Sequence, residues 1–261
     1  MLFNLQHILF ISIATVTITV LLILAAKFVK KQETKNLILK AAAIATVALY
    51  YSNIWVEFFG NAGSTSGLAN YHLIPVYPCN IMLWMLFITS MIKNKSSKFF
   101  TVLAEFCFWA GIICGTFGIV LNENYRVTGD LTNWALLQEL LNHCTMIFGC
   151  FYLLVGKYIK IRVFNVVSVT LGLLFFILEG SFVNALFAKC GLPEVNAMYL
   201  LHSPYPDLPW LSPMLLGASA ILVLFGCLAL YELRLPKEER WYSQLKHFTE
   251  KIFNKHKGQR L

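Results

Sequence analysis

Seven long apolar stretches, at about 8–28, 38–59, 76–93, 99–121, 135–156, 163–187 and 210–232, dominate this sequence. A helix needs about 20 apolar residues to cross the hydrocarbon core of a bilayer, and only helices and closed barrels keep their backbone hydrogen bonds satisfied there. Unbroken runs such as Ile8 to Ala26 lack the alternation of a barrel strand. With 58% hydrophobic and 13% charged residues in 261, a soluble domain has too little interior to bury the apolar side chains. The sequence therefore predicts an all-α polytopic membrane bundle of seven transmembrane helices over residues 1–233, followed by a basic tail over 234–261.

Charge gives the expected orientation, because Lys and Arg near helix ends are retained on the cytoplasmic side. Lys27, Lys30, Lys31, Lys35 and Lys40 flank the first connection, Lys93, Lys95 and Lys98 the third, and Lys157, Lys160 and Arg162 the fifth. The tail adds eight more from Arg234 to Arg260, so nineteen of the 21 basic residues fall on one side, leaving Arg126 and Lys189 for the other. This alternation supports a count of seven, with the N-terminus outside and the tail in the cytoplasm. A cleaved signal peptide is not expected, because the positive charge follows the first apolar run. The net charge of +8 has the same origin and points to an anionic inner leaflet, not to nucleic acid, for which no motif is present.

Seven cysteines are present, an odd number without disulfide or metal spacing. Two outer connections stand apart, 61–75 rich in Gly, Ser, Thr and Asn, and 189–209 with four of the eight prolines. In the tail, Trp241, Leu245, Phe248 and Ile252 recur at helical spacing among lysines, which suits either an interfacial helix or a solvated basic segment. Trp55, Trp134 and Trp210 occupy outer helix ends, the headgroup level that amphipathic rings prefer. Gly111, Gly115 and Gly118 are spaced to let another helix approach closely.

An ionisable side chain in hydrocarbon costs about 2.5–3.5 kcal/mol on insertion scales, so it normally faces the protein interior. At 1.5 Å per residue, Cys79 on the third helix lies roughly 5 Å below the outer edge, and Glu139 and His143 on the fifth about 7 Å and about 13 Å. Glu57 ends the second helix on that side, and Glu179 lies in the outer third of the sixth. Glu105 is near the cytoplasmic end. Glu139 and His143 share a helix face, where a carboxylate would orient the imidazole. A Cys and a His at similar depth are the minimum for a thiolate nucleophile and its base. The plainer alternatives are a small hydrophobe at Cys79 and an interhelical hydrogen bond at His143. His72, beside Tyr71, either caps the site or has no part in it.

The segments 72–80 (HLIPVYPCN), 108–116 (FWAGIICGT), 140–143 (LLNH) and 195–204 (VNAMYLLHSP) form one ordered pattern. It resembles the YwaF-like bacterial membrane proteins, which belong with the transmembrane protein 164 family, over most of the chain from the second helix to the seventh. Eukaryotic members are regarded as acyltransferases that remodel membrane phospholipids, similar in fold to small membrane hydrolases that use a Thr and a His. The resemblance implies that Cys79 carries the acyl group as a thioester and that His143 is the general base. Asn184 and Asn196 look like the family's polar positions around the sixth helix, with an oxyanion or headgroup role. The sequence departs from the bacterial pattern at Tyr77, where a histidine is expected two residues before the cysteine. A multi-pass protein of the bacterial plasma membrane is the corresponding location.

Two functions from different classes follow. The first is acyl transfer or hydrolysis on membrane phospholipids by a Cys79–His143 pair in the outer half of the bilayer. The second is non-catalytic binding or transport of a small solute or ion, with Glu57, Glu139 and Glu179 converging on a water-filled path. A retinal protein is excluded by the lack of a lysine between Trp210 and Glu232. No metal or nucleotide cofactor is expected, since no ligand constellation or phosphate loop appears.

Overall fold

The computed structural model describes residues 3–60, 74–122, 125–126, 129, 131–203 and 212–246. Most of the first outer loop, including His72, together with Trp210 and the tail beyond 246, lies outside the described residues, as does the side chain of Glu57.

Among the described residues there are seven α-helices: α1 (Leu5–Phe28), α2 (Gln32–Gly60), α3 (Pro78–Met91), α4 (Lys98–Val120), α5 (Trp134–Val155), α6 (Asn165–Lys189) and α7 (Pro213–Glu232). Each matches one apolar stretch of the sequence. Asn4, Ser97, Asn133 and Ser212 cap four of the N-termini by accepting first-turn N–H groups. Five of the helices, α1, α2, α4, α6 and α7, are long and apolar enough to cross a membrane. Their outward faces carry bare apolar side chains such as Leu178, Phe182, Leu222 and Leu230, each at least 67% exposed, as a lipid-facing surface requires.

The two remaining helices depart from simple spans for physical reasons. The stretch predicted as 76–93 is helical only over Pro78–Met91. Pro75 and Pro78 lack the N–H that would continue a helix outward, and Pro78 suits the first helical position. Its 14 residues cover only about 21 Å of a core about 30 Å thick. The extended residues before it are sheltered by protein: Val76 is fully buried, and its carbonyl accepts the Met198 N–H at 2.8 Å. Helix α5 is less apolar because Gln138, Glu139, Asn142 and His143 occupy its first half. It is also the central helix, packed against α1, α2, α3 and α4, whereas α6 packs chiefly on α4 and α7 on α6.

The basic end of the bundle is tied together by Glu232, the last residue of α7 and only 1% exposed. Its carboxylate accepts the N–H of Val163 at 2.7 Å and that of Trp241 at 2.6 Å. Arg162 pairs with Glu239 at 2.9 Å, Arg240 donates to the carbonyls of Leu233 and Leu235, and Trp241 packs edge-on against Phe225. The start of the tail is thus held against the α5–α6 connection. Lys95, between α3 and α4, donates to the carbonyls of Thr89 (3.0 Å) and Ser90 (2.9 Å) in the last turn of α3. Burial, reinforced by the Lys40 ammonium, pulls its pKa down to about 8.

Glu232→Ala orphans two backbone donors, each worth about 1–3 kcal/mol, so limited trypsin digestion is expected to cut first at Arg240 in the variant and not in the native chain. For Lys95, the folded pKa of about 8 lies below the ordinary 10.5, so its unfavourable contribution is complete below pH 8 and relieved as pH rises to 10.5. Thermal unfolding in detergent should show the native chain gaining stability relative to Lys95→Met across that interval.

Candidate active site at the α3–α5 junction

Cys79 is the second residue of α3, so it sits in the first turn and not one full turn in, as the sequence suggested. The side chain is half-buried. Its thiol donates to Asn80 Oδ1 at 3.4 Å, while the Asn80 N–H donates to the Tyr77 carbonyl at 2.9 Å. Cys114 of α4 and Glu139 of α5 lie within electrostatic reach of the sulfur. The Tyr50 hydroxyl of α2 is engaged by the Asn80 side chain and feels both Cys79 and Glu139. Beside it, Trp84 Nε1 donates to the Tyr51 hydroxyl at 3.2 Å, fixing α3 to α2.

His143 is one turn deeper than Glu139 on α5 and only 3% exposed. Its Nδ1 is 2.7 Å from the backbone oxygen of Glu139. A carbonyl can only accept, so Nδ1 carries the proton and the neutral ring keeps its lone pair on Nε2. The orienting group is therefore the Glu139 carbonyl, where the sequence suggested the carboxylate. The Nε2 side of the imidazole lies against Gly118 of α4: a Cβ at Gly118 would collide with Cδ2, Cε1 and Nε2 of the ring. Gly115 receives Ile147 and Gly111 receives Cys150 in the same way, so the three glycines form the seam against which α5 packs.

Glu139 lies within electrostatic reach of Cys79, and His143 follows one turn farther along α5, seated on Gly118. The structure separates the other sequence candidates. Asn184 clamps the following loop by accepting the Ala197 N–H (2.7 Å) and donating to the Ala197 carbonyl (3.2 Å). Asn196, with a left-handed φ of 45°, accepts from the N–H groups of Leu201 and His202 and donates to the His202 carbonyl. Tyr77 precedes α3 and stacks on Tyr199 with ring centroids 5.3 Å apart. Glu179 lies on α6, with Oε2 buried and without a hydrogen-bond partner among the described residues. Glu105 takes a 2.5 Å hydrogen bond from Ser168 toward the basic end.

Sequence reasoning missed Tyr50, Asn80 and Cys114. Asn80 and Cys114 were visible as members of the ordered segments. Tyr50 gave no signal beyond an aromatic pair with Tyr51. Also missed were Gln138 and Asn142, successive on one face of α5, whose side-chain oxygens are buried without a partner among the described residues.

A model of the TMEM164 family matches residues 2–231 of the chain. No curated protein and no solved structure matches it.

The seating of His143 on Gly118 generates a direct prediction. Gly118→Ala must displace the imidazole and is expected to destabilise the protein by about 1–3 kcal/mol, the usual cost of overpacking. Gly226→Ala, on an open stretch of α7 with nothing within 4 Å, should be neutral or stabilising by up to about 1 kcal/mol. Thermal unfolding of the two variants in detergent separates these outcomes.

Proposed function

The chain belongs to the TMEM164 family of multi-pass membrane proteins, and from that premise we propose that it is an acyltransferase or hydrolase acting on the acyl esters of membrane phospholipids. The observation that supports this reading best is Cys79 in the first turn of α3 within electrostatic reach of Glu139, with His143 one turn along α5 holding its Nδ1 on the Glu139 carbonyl, which leaves Nε2 as the basic nitrogen of the ring.

In the proposed reaction the Cys79 thiol gives its proton to His143 Nε2 and its sulfur attacks the ester carbonyl. The tetrahedral intermediate collapses as the C–O bond breaks, and the imidazolium returns the proton to the departing glycerol oxygen. A lysophospholipid hydroxyl or water then attacks the thioester with the same base, restoring the thiol. The Tyr50 hydroxyl and the Asn80 amide are the polar groups best situated to receive the developing oxyanion. In this reading the basic end faces the cytoplasm, the site lies in the outer half of a bacterial plasma membrane, and the tail rests on the anionic inner leaflet.

The alternative, a solute or ion path lined by glutamates, has less support. Glu139 of α5 is within electrostatic reach of Cys79 of α3, Glu179 is on α6, and Glu105 is engaged by Ser168 toward the opposite end of α4.

The test is acyl redistribution between phospholipid and lysophospholipid by the reconstituted protein, read by lipid mass spectrometry. Cys79→Ala should abolish transfer. His143→Asn, which keeps a donor for the Glu139 carbonyl but no base, should reduce it by about 10²–10⁴-fold while thermal stability stays near native. Undiminished transfer in both variants would overturn the assignment. No transfer by the native chain across a broad lipid panel would shift the reading to solute binding.

A further inference from the structure

One face of α5 carries polar side chains into an interface with α2 and α3. At about 100° per residue, Gln138, Asn142, Thr145 and Gly149 fall within about 60° of arc. The deeper two fix what this face meets. Thr145 Oγ1 lies 3.0 Å from Thr46 Oγ1 of α2, and a Cβ at Gly149 would touch Leu86 of α3 and Ala42 of α2. Farther out, Trp134 Nε1 donates to Ser52 Oγ of α2 at 3.2 Å. Gln138 and Asn142 lie between these two rungs, only 7% and 4% exposed. Each immediately precedes a residue of the candidate site, Glu139 and His143. Tyr50, on the α2 segment between Thr46 and Ser52, feels Cys79 and Glu139.

The side-chain oxygens of Gln138 and Asn142 are buried and receive no hydrogen bond among the described residues. Gln138 Nε2 donates to the Ala135 carbonyl at 2.9 Å, so its nitrogen is committed and its oxygen is not. The nearby threonines do not serve the pair. Thr145 gives its one hydroxyl proton to the Asn142 backbone carbonyl, and that of Thr46 goes to the Ala42 carbonyl or to Thr145. A buried acceptor without a donor is costly, and hydrocarbon around the bundle offers nothing to relieve it. Two such oxygens on successive turns, with Cβ atoms about 5–6 Å apart, suit a ligand that donates twice over hydrogen bonds of about 2.8 Å. That ligand brings protons and no charge, because two neutral amide oxygens offset little of the cost of moving an ion into such a site. Water meets these requirements, and the hydroxyl of an alcohol shares its chemistry.

We infer that Gln138 and Asn142 form a binding site for a neutral hydroxyl donor, water or the hydroxyl of an alcohol, on the α2-facing side of α5 next to the candidate active site. The site follows from the two buried oxygens, whereas its role in holding the hydroxyl that accepts the acyl group rests on the acyl-transfer reading.

Radiolytic footprinting tests the site without requiring turnover. Brief X-ray pulses split water held inside a protein into hydroxyl radicals, which oxidise the side chains beside it. The full-length protein in nanodiscs should be oxidised at Tyr50. The double variant Gln138→Met/Asn142→Leu should lower that labelling by about tenfold, the change that accompanies loss of about one hydrogen bond, while the exposed Tyr242 is labelled as before. Each single variant should also unfold at a lower temperature than the native chain, because an amide oxygen that receives a donor stabilises, whereas an orphaned one is better replaced by carbon. Unchanged labelling at Tyr50 would overturn the inference, as would single variants that unfold at or above the native temperature. Glycerol separates the two sources: protection of Tyr50 in the native chain but not in the double variant supports an alcohol hydroxyl, and labelling indifferent to glycerol supports water. The acyl-transfer assay reads the role. A changed ratio of hydrolysis to transfer in Asn142→Leu supports it, and an unchanged ratio with labelling lost overturns the acceptor role but not the site. Absence of any transfer by the native chain, with Tyr50 labelled, overturns the enzymatic reading and leaves the site standing.

Discussion

The first half of α5 cannot face hydrocarbon. Gln138, Glu139, Asn142 and His143 fall on consecutive turns of one helix, and three of the four are under a tenth exposed. Each would be penalised against lipid, so α5 has to be the helix that the others surround. The architecture follows from that requirement: α2, α3 and α4 pack directly on α5, and the more uniformly apolar α6 and α7 lie farther out. The most polar span is thereby the most central one, and its polar face becomes the place where chemistry can occur.

Close approach completes the arrangement. The α4 glycines let α5 pack near enough for His143 to lie on Gly118, while the Glu139 carbonyl holds its ring in one tautomer. On the other side, the prolines before Cys79 stop α3 short of its full span. The gap is closed by protein: Asn184 grips Ala197, Met198 bonds to Val76, and Tyr199 covers Tyr77. A truncated helix in a membrane requires such a cover, because its exposed backbone would otherwise meet lipid. The two asparagines that resemblance assigned to the chemistry are thus engaged in building the loop over the site.

Much of this was legible in the sequence. Hydropathy located all seven helices, and the glycine spacing on α4 correctly announced a helix at close range. Helix α3 begins later than its apolar run because proline chemistry overrides hydropathy at its start. Other features depend on which helix lies beside which, information that no local pattern carries. Tyr50 reaches Asn80 only because α2 and α3 are neighbours, and Glu232 reaches Val163 only because the tail folds back under the bundle. The loop at 195–200 places Asn196, Met198 and Tyr199 at positive φ without a glycine to mark the turn, so its shape was invisible in advance.

Of the seven free cysteines, the proposed chemistry puts the acyl group on Cys79. Incubating the reconstituted protein with phospholipid, quenching in acid and measuring intact mass followed by peptide mapping tests it most directly. A hydroxylamine-sensitive increment equal to one acyl chain is expected on the peptide containing Cys79, and its absence when His143 is replaced by Asn. An unmodified Cys79 during demonstrable turnover, or an acyl group on Cys107, Cys114, Cys144, Cys150, Cys190 or Cys227 instead, would contradict it.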